Sequence, residues 1–142
     1  MGQKVHPKIF RIGELYGWSS KWFSSRDYAR FLQEDILIKK FIRQDLKAAS
    51  VAEVEIERSA GRITVIIHSG KPGIIIGRGG QGVEDLKKKL KKKFLQEKTN
   101  ININIQEIKN PNLSSALILQ SITADLEKRM PYRRIMKQAI GR

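Results

Sequence analysis

The chain has 142 residues, 28 Lys+Arg against 14 Asp+Glu, a net charge of +14 and a pI near 10.3. Hydrophobic residues make up 40% of it, enough to bury one domain-sized core, so the chain is not a disordered tail. There is no cysteine and there are only two histidines, His6 and His68, which excludes disulfide frameworks, thiolate or iron–sulfur ligation, a Cys nucleophile and multi-histidine metal sites.

Residues 1–37 form an extension rich in Gly, Ser and aromatics. Seven of the ten aromatic residues (Phe10, Tyr16, Trp18, Trp22, Phe23, Tyr28, Phe31) fall before residue 32. This segment either packs on its own domain or contacts RNA or a partner protein. The N-terminus has no apolar signal core, and His6 occupies the position where a myristoylation pattern needs Ser or Thr. No apolar run reaches the ~18 residues of a membrane span, so no membrane contact is expected and the cytosol is the default compartment.

A short helix is predicted over Asp27–Gln33 and a longer one from Asp35 to Ala49, where Ile38, Phe41, Ile42 and Leu46 recur at helical spacing. Two period-two strands follow. Ala52, Val54 and Ile56 alternate with Glu53, Glu55 and Glu57; Ile63, Val65 and Ile67 alternate with Arg62, Thr64 and Ile66. Ser59-Ala60-Gly61 reads as the hairpin loop between them. After a glycine-rich stretch, Val83, Leu86, Leu90 and Phe94 mark one face of a helix running to about Thr99, with Asn100 as its stop. Ile101, Ile103 and Ile105 alternate with Asn102, Asn104 and Gln106 in a third strand with one wet face. Asn110-Pro111 suits an N-cap and first helical position, with Leu119, Ile122, Leu126 and Met130 on one face of the helix that follows. Pro131 breaks that helix, and Arg133 to Ile140 restart it.

Residues 70–82 read GKPGIIIGRGGQG. Gly77 to Gly82 literally matches the dinucleotide fingerprint G-x-G-x-x-G, but Pro72 and Gly73 interrupt the strand that motif requires, and Glu97 lies in a lysine-rich helix rather than at a strand end. The better match is apolar-apolar-Gly-x-x-Gly, Ile75-Ile76-Gly77-Arg78-Gly79-Gly80. It resembles the loop of the KH module, which joins two helices and clamps a nucleic-acid backbone. Glycines let the main chain approach phosphates, the following helix start offers N–H donors, and Arg78 adds a charged fork. A helix and two strands before the loop, then a helix and a strand after it, give the order of a type II KH domain. The expected fold is α+β: a helix packed on a three-stranded mixed sheet over residues 38–108, with the N-terminal extension before it and a C-terminal helical segment over 109–142.

Charge follows this layout. Residues 1–70 hold 12 basic and 8 acidic side chains, net +4; residues 71–142 hold 16 and 6, net +10. Such crowding repels itself unless a polyanion neutralises it, and nucleic acid is the commonest one. Leu86 to Phe94 carries six lysines, with Lys87 and Lys91 on one stripe and Lys88 and Lys92 on another. Half of these are expected to face phosphate, together with Lys71 and the loop residues Gly77, Arg78, Gly79 and Gly80.

Further segments resemble one family. Met1 to Pro7, Trp22-Phe23, Glu57-Arg58, Arg62 to His68, Pro72 to Gly77, Asn102-Ile103, Ser121-Ile122 and Arg133 to Lys137 are similar to bacterial small-subunit (30S) ribosomal protein S-three, the universal uS-three family. The resemblance covers nearly the whole chain. It implies a structural constituent of the small subunit, located in the cytoplasm on the ribosome, that binds 16S-type ribosomal RNA in the subunit head beside ribosomal proteins S-ten and S-fourteen. It also implies that Arg133, Arg134 and Lys137 contact mRNA where message enters the subunit, and that Lys4, His6 and Trp22 serve docking of the extension or ribosomal RNA. Family members continue into a second α/β domain that is absent here, so the chain is expected to be the front part of a longer protein.

An enzyme is the rival class. No nucleophile–base pattern and no carboxylate cluster near a histidine is visible, so neither catalysis nor a metal or other cofactor is expected. A free KH-type regulatory RNA-binding protein is the alternative within the binding class.

Overall fold

The computed structural model describes residues 2–59, 61–94 and 100–141. Along the chain run α1 (Pro7–Phe10), β1 (Ser20–Lys21), α2 (Tyr28–Asp45), β2 (Val51–Ser59), β3 (Arg62–Ser69), α3 (Pro72–Ile76), α4 (Gln81–Phe94), β4 (Asn100–Glu107), α5 (Ser115–Glu127) and α6 (Tyr132–Ile140). The strands form one mixed sheet in the order β1-β2-β3-β4: β2 and β3 are antiparallel, and β4 lies parallel to β3, with Ile63 opposite Ile101 and Val65 opposite Ile103.

The period-two residues do what alternation requires. Val54 and Ile56, Ile63, Val65 and Ile67, and Ile101 and Ile103 are buried on one face. Ile38 and Ile42 of α2, Ile75 of α3, and Leu86 and Leu90 of α4 close over that face, with Phe41, Val83 and Phe94 packed at its margin. The apolar set of β2 begins at Val51 rather than at Ala52, because an irregularity between Val51 and Glu53 resets the alternation.

The sheet has four strands where three were expected. Ser20-Lys21 of the extension lies parallel to Ile56-Glu57 at the sheet edge. A two-residue strand has no period to read, and it is held by side chains from elsewhere in the chain. Lys39 Nζ donates to Ser19 O, Ser19 Oγ and Ser20 Oγ at 2.8–2.9 Å. Burial lowers the pKa of Lys39 from its ordinary value. Lys21 Nζ donates to Glu55 at 3.0 Å and Glu57 at 3.2 Å, which raises its own pKa and holds Glu55 below the usual carboxylate value.

The two helices expected over Asp27–Ala49 are one helix, α2, followed by a 3₁₀ turn at Lys47–Ala49. No Gly or Pro interrupts Tyr28–Asp45. The apparent gap came from Asp35, which takes a core position three residues before Ile38 and is 1% exposed. Both of its oxygens accept hydrogen bonds. Arg58 donates to Oδ1 from Nε at 2.9 Å and from Nη2 at 2.6 Å, and Trp22 Nε1 donates to Oδ2 at 2.7 Å. Arg58 Nη1 also reaches Glu34 at 2.8 Å, and its guanidinium lies 4.7 Å from the centre of the Phe31 ring.

At the other end, Asn110-Pro111 opens a 3₁₀ turn (Pro111–Leu113), and α5 starts behind Ser114 instead. The residue that α5 buries is Leu117; the expected face is partly open, with Leu119 63% and Leu126 44% exposed. Gln120 sets the rotation of α5 by donating to Val51 O at 2.6 Å, and Leu117 lies against Gly70, where a Cβ would meet its Cδ1 at 3.1 Å. Pro131 separates α5 from α6 as expected. The helix predicted to reach Thr99 is described as far as Phe94; its last turn, like Ala60 of the hairpin loop, lies outside the described residues. Asn100 opens β4 rather than ending that helix.

Arg58→Met should lower stability by about 3–5 kcal/mol in urea denaturation, because it strands the buried Asp35 carboxylate. Adding Asp35→Leu should recover much of that loss; no recovery would mean that an unpaired Asp35 carboxylate is not its source.

Candidate nucleic-acid interface

The Gly-x-x-Gly segment joins two helices, α3 and α4. Pro72 opens α3 at a position where its missing N–H costs nothing, and Ile75, 2% exposed, pins the helix into the core. Gly77 ends it, donating to Gly73 O at 3.0 Å with φ of 68°. Arg78–Gly80 makes one 3₁₀ turn, and α4 starts at Gln81.

The glycines divide into two roles. A Cβ on Gly82 would collide with the Ile75 carbonyl, and one on Gly77 would meet Gly82 N at 3.1 Å. This pair lets the end of α3 and the start of α4 touch backbone to backbone. Gly79 and Gly80, at φ of 59° and 81°, have nothing within 4 Å of where a Cβ would stand. They present bare main chain to solvent, with the exposed Arg78 beside them. Gly77 is therefore a packing residue. Gly82 was missed as part of the site; its only signal was the literal G-x-G-x-x-G match.

The lysines of α4 also divide. Lys89 reaches Asp45 of α2 at 3.1 Å, Lys93 lies 4.4 Å from the centre of the Phe41 ring, and Lys88 stands 3.9 Å from Asp85 in its own helix. Lys91 and Lys92 are exposed and Lys87 is half-buried; none of the three has an acidic partner among the described residues. Lys71 is exposed at the other end of α3 from the glycine loop, its backbone N–H donating to the buried Ser69 Oγ at 3.0 Å.

Arg133, Arg134 and Lys137 are all exposed on α6, whose Ile135 is buried, so they form a basic group on a different helix from the loop. The docking residues separate as well. Trp22 is held inside the chain by Asp35, with its ring against Tyr28 and Phe31 at 5.3 and 5.6 Å. His6 Nδ1 accepts from Lys8 N at 3.2 Å and so caps α1, while Lys4 is exposed. His68 Nε2 lies 3.1 Å from Glu55 Oε1 on the polar face of the sheet.

Among the described residues, no group of three or more His, Asp or Glu side chains could hold a metal ion, and no helix is long and apolar enough to cross a membrane.

A mixed sheet, two helices joined by a Gly-x-x-Gly turn, and open glycines flanked by cations define a KH-type module. The family described as KH domain matches residues 37–113, more than half of the sequence, and the chain belongs to that family. Its full length is also similar to proteins named small ribosomal subunit protein uS3. It is 50% identical to that of Syntrophomonas wolfei over 142 residues, covering 100% of this chain and 61% of the relative. It is 50% identical to that of Caldicellulosiruptor saccharolyticus over 143 residues (100% and 64%) and 49% identical to that of Lactobacillus helveticus over 142 residues (100% and 62%). The chain thus spans about three fifths of the length of the curated relatives it matches.

Gly82→Ala should cost about 1–3 kcal/mol, since a Cβ there has only rigid backbone to displace. Gly73→Ala, in the open interior of α3, should be neutral or stabilising by up to about 1 kcal/mol. Thermal melts of the two variants check this; equal melting temperatures would mean that Gly82 has no packing role.

Proposed function

We propose that the chain acts as a structural constituent of the small ribosomal subunit and binds 16S-type ribosomal RNA in its head. The observation that carries this reading is the open Gly79-Gly80 backbone beside Arg78, in a chain similar over its full length to uS3 proteins. Bare glycine main chain admits a phosphate to closer range than any side-chain-bearing turn. Gly77, Arg78, Gly79 and Gly80 hold the RNA backbone, while Lys71, Lys87, Lys91 and Lys92 supply long-range attraction; Lys88 contributes less because Asp85 shares its charge.

The exposed Arg133, Arg134 and Lys137 form the second contact, with mRNA as it enters the subunit. Their cations stand on one short helix, with Arg133 and Lys137 one turn apart, which suits a phosphate track rather than a pocket. Ribosomal proteins S-ten and S-fourteen are the proposed protein neighbours, and the ribosome in the cytoplasm is the proposed location. Functionally the chain divides into the extension (1–37), the RNA-binding domain (38–108) and the C-terminal helical segment (109–142). Binding and assembly, not catalysis, are its work.

Two measurements test this. Lys91→Gln with Lys92→Gln should reduce the log–log salt slope of single-stranded RNA binding by about 1.4, at ~0.7 per lost phosphate contact; an unchanged slope would show that α4 is merely solvated. Small subunits reconstituted with the chain should retain it through a sucrose gradient, and Arg133→Ala with Arg134→Ala should then slow translation through a stable mRNA hairpin. A chain that stays at the top of the gradient would favour a free regulatory RNA-binding protein, and unchanged hairpin transit would remove the mRNA assignment.

A further inference from the structure

A second cleft lies away from the glycine loop. It has a volume of about 400 Å³ and is walled by the turns at Lys47–Ser50, Gly70-Lys71 and Pro111-Asn112 and by one side of α5. Lysines from three separate elements stand around it: Lys47 after α2, Lys71 before α3 and Lys128 after α5. Among the described residues, Lys47 and Lys71 have no carboxylate within ion-pair distance. The single acid of the lining, Asp125, sits 3.5 Å from Lys128.

The backbone that carries these lysines is fixed. Ser69 Oγ, fully buried, donates to Ala49 O at 2.6 Å and accepts from Lys71 N at 3.0 Å. Gly70 N donates to Ser50 O at 3.0 Å, with Ser50 in the left-handed region at φ of 54°. Leu117 packs against Gly70 so closely that a Cβ there would meet its Cδ1 at 3.1 Å. Asp125 already shares the charge of Lys128, which leaves Lys47 and Lys71 as the cations of the cleft that an incoming anion would neutralise. The cleft is open to solvent, and its lining mixes apolar residues such as Leu117 and Ile118 with polar ones, so the lysines at its margin are what favour an anion there.

We infer that this cleft is a phosphate-binding site, distinct from the Gly-x-x-Gly loop, whose ligand is a phosphate group carried by a nucleotide. The phosphate comes either from a phosphodiester of bound RNA or from a free nucleotide. Only the first source rests on the RNA reading above. Lys71 and Gly77 bracket α3, and its five residues of helix span about 7.5 Å, short enough for one RNA strand to engage both places.

The test is amide NMR on the full chain, titrated separately with inorganic phosphate, uridine 5′-monophosphate and an octauridylate. Saturable shifts at the Ser50 and Gly70 amides are expected, and Lys47→Gln/Lys71→Gln/Lys128→Gln should abolish them without shifting the core amides of β3. Shifts with the octauridylate alone assign the phosphate to RNA; shifts with the mononucleotide or with inorganic phosphate assign it to a free ligand. If the octauridylate moves Gly79 and Gly80 but no probe moves Ser50 or Gly70, the cleft site is overturned while the RNA reading stands. If the cleft responds and the loop does not, the cleft site holds and the loop reading fails.

Discussion

A carboxylate in a core position organises one end of this molecule. Asp35 occupies the helical register of Ile38 and Ile42, facing the sheet, where an ionised group without partners would be very unfavourable. Arg58, at the end of β2 and on the same core side as Val54 and Ile56, supplies two donors to it, and Trp22 supplies the third. The three residues come from the segment before α2, from α2 itself and from β2. Their pairing ties the extension to the domain, places Ser20-Lys21 against β2 and so adds a strand to the sheet edge. Breaking one member leaves a buried charge, so the three are coupled far more tightly than surface ion pairs.

The same economy governs the surface charge. A net of +14 reads in sequence as readiness for a polyanion, concentrated after residue 70, yet part of the basic charge is engaged at home. Lys8 pairs with Glu53, and Lys21 is shared between Glu55 and Glu57, across the polar face of the sheet. Lys89 and Lys93 tie α4 to α2. Among the described residues, cations without acidic partners include Arg78 in the loop, Lys91 and Lys92 on α4, Arg133, Arg134 and Lys137 on α6, and Lys47 and Lys71 at the cleft. Charge available for binding is therefore a property of the fold, since an ion pair between Lys89 and Asp45 joins residues 44 apart in sequence.

The glycine loop shows a parallel division. Two glycines let α3 and α4 approach, and two leave main chain uncovered. The first pair builds the turn and the second makes it accessible. A side chain at either kind of position would fail for a different reason: collision with backbone at Gly82, and obstruction of the approach together with an unfavourable φ at Gly79 or Gly80.

Short-range pattern was enough to place β2, β3 and β4, the apolar face of α4, the helix–loop–helix around Gly77 and the break at Pro131. Each is written in a period of two or 3.6 residues, or in the backbone limits of Gly and Pro, and those act within a few positions. Where the partner was distant, the pattern misled. Asp35 looked like a gap between two helices because Arg58 and Trp22 were not yet beside it. Ser20-Lys21 had no period at all, and Leu119 and Leu126 looked like the buried face of α5 until Gln120 and the Gly70–Leu117 contact fixed its rotation. Sequence alone determined a basic α+β chain with a Gly-x-x-Gly turn, because glycine, alternation and charge are local chemical facts. Only the tertiary structure decided which lysines are spent inside the molecule, which glycines are open, and that the extension belongs to the sheet, because each of these depends on contacts between residues far apart in the chain.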